Sequence, residues 1–307
     1  MIPRSTNRWL HLSATFVAGA TFLLIIAGAL VTSNDAGLSV PDWPTSFGTF
    51  RMPRMAGGIK FEHGHRMVAG VVVILTILLA AWLWKSEERR WVRRLGGIAV
   101  LTIIAQAVLG GITVLFFLPV DISVAHACLA QAFFCIMVSL ALFTRPDWRW
   151  DEPKILDDSS VSLRRLASGT TALIFLQLML GAAFRHHGLG IIPHVIGAGL
   201  VTVAVLWMLV RVLSEFRNEP RLTRPIGLLT GLLVAQVALG VGSYWEIWSN
   251  LNAPQPMPPV VLVTTTHVVI GALVLATSLA LTFQTHRLIA APEAAPNKGS
   301  APVRVTV

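Results

Sequence analysis

Charged residues are scarce in this chain. Asp, Glu, Lys and Arg make up 13% of 307 residues, with 15 acids against 24 bases, while 54% of the chain is hydrophobic and the mean hydropathy is +0.70. Ordinary soluble domains carry about twice that share of charge. A water-exposed globular fold is therefore excluded, and a polytopic membrane protein is expected. Cysteine is almost missing as well. Cys128 and Cys135 stand seven residues apart on one expected helix, which sets their backbones about 10 Å apart along its axis and excludes a bridge between them. Both read as small core hydrophobes.

Long apolar stretches take the place of charge. A hydrocarbon layer of about 30 Å needs roughly 20 mainly apolar helical residues. Eight stretches approach or meet that length, near 11–32, 66–84, 95–117, 122–143, 165–184, 190–212, 225–245 and 260–283. The expected fold is all-α with eight transmembrane helices. Arg4 and Arg8 precede the first stretch as they would in a signal peptide, but the run is too long and no clean small-residue cleavage site follows before "VTSNDAG", so it reads as the first span.

Orientation follows from the cations, because cytoplasmic loops retain Lys and Arg. With eight spans, 19 of the 24 fall on the side of the N-terminus, and Arg51, Arg54, Lys60, Arg66 and Arg185 on the other. Both termini are thus expected in the cytoplasm of a multi-pass protein of the inner (plasma) membrane. The net charge of +9 is accounted for by topology and by attraction to anionic membrane lipids, with no nucleic acid needed.

The two halves of the chain echo each other. Gln106-Ala-Val-Leu-Gly-Gly in the third span is matched by Gln236-Val-Ala-Leu-Gly-Val in the seventh. His65 with Ala69-Gly70 is matched by His194 with Ala198-Gly199, and Gly28 to Gly37 by Gly181 to Gly190. A four-plus-four repeat places both halves in the same orientation, as four-helix bundles related by a pseudo-twofold axis along the membrane normal. The expected units are an N-terminal bundle 1–144, a cytoplasmic linker 145–164, a C-terminal bundle 165–287 and a disordered Ala/Pro-rich cytoplasmic tail 288–307.

His65, His126, His194 and His267 fall one to each even-numbered span, within about two turns of its outer end, and a small residue follows four positions later in each: Ala69, Ala130, Ala198, Gly271. Positions i and i+4 share a face, so each imidazole has bare surface one turn deeper, as a flat macrocycle packed edge-on requires. A histidine hydrogen-bonded to a neighbouring helix is the plain alternative for any single case. Four in a repeated pattern favour function, because ionisable residues inside a membrane are costly. Haem iron takes histidine ligands, so His65 with His126 and His194 with His267 would make two sites toward the outer face, one per bundle. Zinc competes, but it usually adds Cys, Asp or Glu, and none accompanies His194 or His267.

Glu62, three residues before His65, breaks the symmetry, since Ile191 holds the matching place before His194. It suits proton transfer or stabilisation of developing positive charge, against the plain reading of an acid favouring a helix N-terminus. One pair would then hold a cofactor and the other perform chemistry. Arg66 suits a haem propionate or snorkels to headgroups. His63 is expected to be exposed and turned away from His65. His186 and His187 are expected at the outer rim or in solvent, His11 and His286 near the cytoplasmic ends. Trp43, Phe47 and Phe50 read as an interfacial belt or, less often, a lid over a lipophilic substrate.

The ordered set "GALVTSNDAGLSVPDWPTSFG", "EHGHRM", "QAVLGGITVL", "AHACLAQ" and "THVVIGALVLA" closely resembles the haem A synthase family over nearly the whole chain. The resemblance implies an oxidoreductase that converts the C8 methyl of haem O to the formyl of haem A for terminal oxidase assembly. It implies a catalytic Glu-x-x-His at Glu62 and His65, a substrate site at His65 and His126, and a haem b cofactor on His194 and His267. It further implies dealings with a haem O synthase, with oxidase assembly factors and with an unidentified electron donor, and it is compatible with a homo-oligomer. Many bacterial members carry cysteine pairs in outer loops; this sequence has none there, so a thiol step is not carried over. Two rivals stay open: a di-haem b-type membrane cytochrome without methyl oxidation, and a parallel-repeat transporter with a histidine relay.

Overall fold

The structure is a computed structural model that describes residues 7–148 and 154–290. Among these, eight helices follow in order: α1 (Arg8–Ser33), α2 (Ile59–Ser86), α3 (Arg90–Leu115), α4 (Val120–Phe143), α5 (Leu163–Arg185), α6 (Ile191–Glu215), α7 (Pro220–Ser249) and α8 (Pro258–Leu288). β structure among the described residues is limited to the isolated bridges Ser46–Thr49 and Ile155–Ile289. Each helix is long and apolar enough to cross a membrane, so the expected eight-span, all-helical class is what the chain adopts.

The helices start where capping chemistry allows. The Asn7 side chain accepts from the N–H groups of Trp9 and Leu10, each at 3.1 Å, and the Glu219 carboxylate from Arg221 N–H at 3.2 Å; both satisfy donors that a first turn leaves open. Pro residues open α7 and α8, where a missing N–H costs nothing. Several helices run past the apolar stretches that announce them, because helical hydrogen bonding continues into the polar interface. The extension matters most in α2. It begins at Ile59, several residues before the apolar run, and so carries Glu62 and His65 together on helix.

Packing closes two four-helix rings. In the first, α1 meets α2, α2 meets α3, α3 meets α4 and α4 returns to α1; in the second, α5, α6, α7 and α8 repeat the circuit. Across the halves α1 touches α8, α4 touches α5, and α4 touches α8. Each ring has its own core: Leu79, Leu83, Ile103 and Met137 in the first, Val205, Met208, Leu229 and Leu275 in the second, all fully buried. Between them Ser33 Oγ lies 2.9 Å from Thr264 Oγ1, and Arg185 Nη2 donates to Ser33 Oγ at 3.2 Å. Large apolar side chains such as Phe16, Leu101, Val203 and Leu262 face outward, as lipid contact requires.

The segment after α4 is pinned to the end of α8. Ile155 N–H donates to the Leu288 carbonyl at 2.8 Å and Ala290 N–H to the Ile155 carbonyl at 2.9 Å. Trp148 is buried against Phe143 with the Arg287 guanidinium over its ring. Leu288 and Ile289 are also buried, so packed chain continues beyond 287, where the sequence suggests a loose tail. Arg4, Arg149, Lys298 and Arg304, with the remainder of that tail, lie outside the described residues.

Candidate functional site

The four histidines share one local construction. On the odd-numbered helix that precedes each, a glycine faces the imidazole. A β-carbon added at Gly28 would lie 3.2 Å from Cε1 of His65; at Gly110, 3.1 Å from His126; at Gly181, 2.9 Å from His194; at Gly240, 3.1 Å from His267. One turn earlier on the same odd helix stand Leu24, Gln106, Gln177 and Gln236. Glycine is needed because any side chain would displace the ring.

One pair of rings meets within the second half. His194 and His267 have centroids 6.3 Å apart with planes at 83°. A metal between two imidazoles with bonds of about 2 Å would set the centroids roughly 6 Å apart, so His194 and His267 are spaced as two residues that would hold one metal between them. His65 and His126 lie within electrostatic reach of each other. Nδ1 of His65, of His126 and of His267 is buried without a hydrogen-bond partner, an exposed cost that ligation of the ring would help to explain. Among the described residues no three His, Cys, Asp or Glu side chains gather as a metal shell. The donor set is pairs of imidazoles, which suits haem iron better than zinc.

Around the first pair the loop of residues 34–58 folds into a cap, and Glu62 with Arg66 staples it down. Glu62 is 3% exposed. Its Oε2 accepts from Val40 N–H at 2.7 Å and its Oε1 from the Arg66 guanidinium. Arg66 Nη1 donates to the carbonyls of Asp42 and Thr45 at 2.6 and 3.0 Å, and Nη2 to that of Val40 at 3.1 Å. Both terminal nitrogens of Arg66 are therefore engaged by the cap; the free guanidinium expected for a propionate is not what this arrangement presents. Asp42 closes the tip of the loop, accepting from the Thr45 hydroxyl and from the N–H groups of Phe47 and Gly48 at 2.6 and 2.8 Å. Those bonds, led by Thr45, hold its carboxyl below the ordinary range.

Trp43 extends from this cap onto α3. A β-carbon at Gly111 would stand 2.6 Å from the indole, so the ring lies flat on the residue next to Gly110, the partner of His126. Trp43 is thus a covering residue, whereas Phe47 and Phe50, 49% and 86% exposed, keep the outward position of a belt. His63 departs from expectation: it is half-buried and its Nδ1 lies 2.9 Å from Ser46 Oγ, tying α2 to the cap. His187 is exposed. His186 reaches across to the first half, close enough to act on His126, and burial with the Arg185 guanidinium beside it keeps the ring below the usual imidazole range. At the opposite ends of the helices His11 Nδ1 sits 3.0 Å from the Ala141 carbonyl and His286 Nε2 2.9 Å from Ser168 Oγ. Cys128 and Cys135 are both free.

The glycine partners and the flanking Gln177 were not found from sequence, while Trp43 takes the covering place that was the less favoured of its two readings. A signal existed: "QLMLG" at 177–181 repeats the "QAVLG" of 106–110 and the "QVALG" of 236–240, and "LIIAG" at 24–28 keeps the glycine without the glutamine.

Residues 59–194 match the COX15-CtaA family, described as Cytochrome oxidase assembly protein. That segment contains Glu62, His65, His126 and His194. The chain is 29% identical to the Heme A synthase of Lysinibacillus sphaericus over 183 residues, 59% of each protein. It is 32% identical to that of Halalkalibacterium halodurans over 137 residues, 44% of each. With the Heme A synthase of Symbiobacterium thermophilum it shares 29% over 250 residues, 71% of this chain and 80% of that protein. The match thus spans less than two thirds of the length of the first two relatives.

Proposed function

We propose that this chain, similar to the COX15-CtaA family over residues 59–194 and to several Heme A synthases over part of its length, oxidises the C8 methyl of haem O to the formyl of haem A. The carrying observation is the asymmetric pair of pairs: two imidazole pairs on one plan, only the first having a buried carboxylate on the helix face of its leading histidine. Under this reading His194 and His267 hold a resident haem b, whose iron supplies electron-transfer and oxidation chemistry when bound. His65 and His126 receive the substrate haem O. The two rings form pseudo-twofold-related units, with the paired histidines toward the outer face of the membrane and both termini in the cytoplasm.

The protein's own groups have defined tasks. Glu62, clamped between Val40 N–H and Arg66, fixes a negative charge three residues from His65, where positive charge developing at the methyl-bearing edge is stabilised without reorganisation. The cap, with Trp43 laid on Gly111, shields that edge from bulk solvent. Arg66 acts as a positioning residue, since it reaches the site through Glu62 and the cap carbonyls. Converting the methyl to a formyl with an external electron acceptor takes the oxygen atom from water and releases four electrons and four protons, so an electron acceptor and a haem O supplier are required as partners.

The test is pigment analysis of cells expressing the full chain beside a haem O-producing synthase. Haem A on chromatography is the expected product. Folded, haem-loaded protein that yields none would leave the di-haem electron carrier as the reading.

A further inference from the structure

At the helix ends away from the paired histidines, each half leaves a cleft between its first and last helices. In the second half it is a cavity of about 580 Å³ lined by Lys154, Arg164, Ser168, Thr282, Phe283 and His286. In the first half it is one of about 430 Å³ whose polar lining is His11, Thr15, Arg145 and Asp147. Ser168 precedes Gly181 on α5, which places the larger cleft about 20 Å along the helix from the glycine that faces His194. That is near the level where a spanning helix leaves the hydrocarbon.

The two clefts differ in charge. In the smaller, Arg145 is neutralised: its Nε donates to Asp147 Oδ1 at 2.9 Å and its Nη2 to Oδ2 at 2.7 Å. In the larger, no carboxylate lines the walls, and among the described residues neither Lys154 nor Arg164 makes an ion pair. Donors are in surplus there. Arg164 Nη2 donates to His286 Nδ1 at 3.0 Å, so the ring's Nε2–H donates to Ser168 Oγ at 2.9 Å and the Ser168 proton is left for another acceptor. Lys154 gives one N–H to the Arg287 carbonyl, which leaves two on the ammonium and most of the guanidinium unspent. The linker fixes Lys154 in place through the bond from Ile155 N–H to the Leu288 carbonyl at 2.8 Å. Phe283, whose ring lies 4.7 Å from that of Phe143, supplies an apolar wall.

We propose that the larger cleft binds a phosphate-bearing anion, and that its occupant is the headgroup of an anionic membrane phospholipid. A phosphodiester brings acceptors only, which is what two cations with spare donors complement. The wall at Phe283 lies beside the headgroup as an acyl chain would use it, and free phosphate has nothing to place there. The smaller cleft, with Arg145 already paired, makes no such demand. None of this depends on the haem chemistry proposed above.

Native mass spectrometry of the full-length protein, delipidated in detergent, provides the test. Dioleoyl phosphatidylglycerol, dioleoyl phosphatidylcholine and inorganic phosphate are titrated separately. One phosphatidylglycerol is expected to bind more tightly than phosphatidylcholine, and Arg164→Gln should weaken it about tenfold, the scale of one charge-assisted hydrogen bond. Arg145→Gln should leave it alone. Equal binding of the two lipids overturns the proposal, and so does an equal loss in Arg145→Gln. Inorganic phosphate that displaces the phosphatidylglycerol would make this an ion site and overturn the lipid assignment. If Arg164→Gln does not accumulate, Lys154→Gln decides, because Lys154 is exposed: a loss of about fivefold supports the proposal, and unchanged binding overturns it.

Discussion

The two halves place two histidines each on the same helix–glycine plan and then treat the loop that follows the leading helix differently. After α1 the chain spends residues 34–58 on a cap tied to α2 by Glu62, Arg66 and His63. After α5 it turns at once through residues 186–190, and that turn leans on the other half, with Gly188 close to Val120. The second pair has no carboxylate in the place that Glu62 takes before His65; the first is capped and flanked by Glu62. The common plan teaches what binding requires, and the departures from it mark where chemistry is expected.

The largest effect should come from removing a ligand of the uncapped pair. His194→Ala or His267→Ala is expected to lose the resident haem, lowering the haem-to-protein ratio by about half in a pyridine haemochromogen assay; an unchanged ratio would remove these residues from ligation. Glu62→Gln should follow. It keeps an acceptor for Val40 N–H but loses the charge facing Arg66, and haem A yield should drop on the order of 100-fold while the second-half haem stays. Full yield would make Glu62 a staple of the cap and nothing more.

Gly181→Ala asks how tightly the plan is drawn. Its β-carbon would stand 2.9 Å from His194 Cε1, closer than real contacts allow, so the ring must shift. Overpacking of this kind costs about 1–3 kcal/mol, and the low-spin haem spectrum should change with it. Gly28→Ala, at 3.2 Å from His65, should perturb less. The smallest effect concerns pH at the cap. Asp42 has a carboxyl held below its ordinary value of 3.8, so its contribution is present above that value and is lost as pH falls through the lowered folded value. Proteolysis of residues 34–58 should stay slow from neutral pH to near 4 and quicken only below. The same profile in Asp42→Asn would show that another group governs it.

Much of the fold was legible because a membrane imposes a coarse code. Spans must be apolar and helical to satisfy their backbone, so eight stretches could be placed from hydropathy alone, and histidines 65, 126, 194 and 267 stood out against that background. Partners were harder to see. Nothing local says that His63 meets Ser46, that Arg66 holds three loop carbonyls, or that Trp43 lies on Gly111, since each contact joins a loop to a helix by a path set in three dimensions. The third glutamine–glycine copy at Gln177 was in plain letters, yet its meaning depended on seeing which ring each glycine faces.

By itself, then, the order of residues determined the eight spans, their uneven loop charges, the one histidine per even helix and the lone carboxylate before His65, because these follow from transfer energies and helical periodicity. Only the tertiary structure decided which glycine makes room for each histidine and how the loop of residues 34–58 is tied to α2 by Glu62, Arg66 and His63. Those facts arise from contacts between segments that are distant in sequence, and close packing specifies them only once every helix is in place.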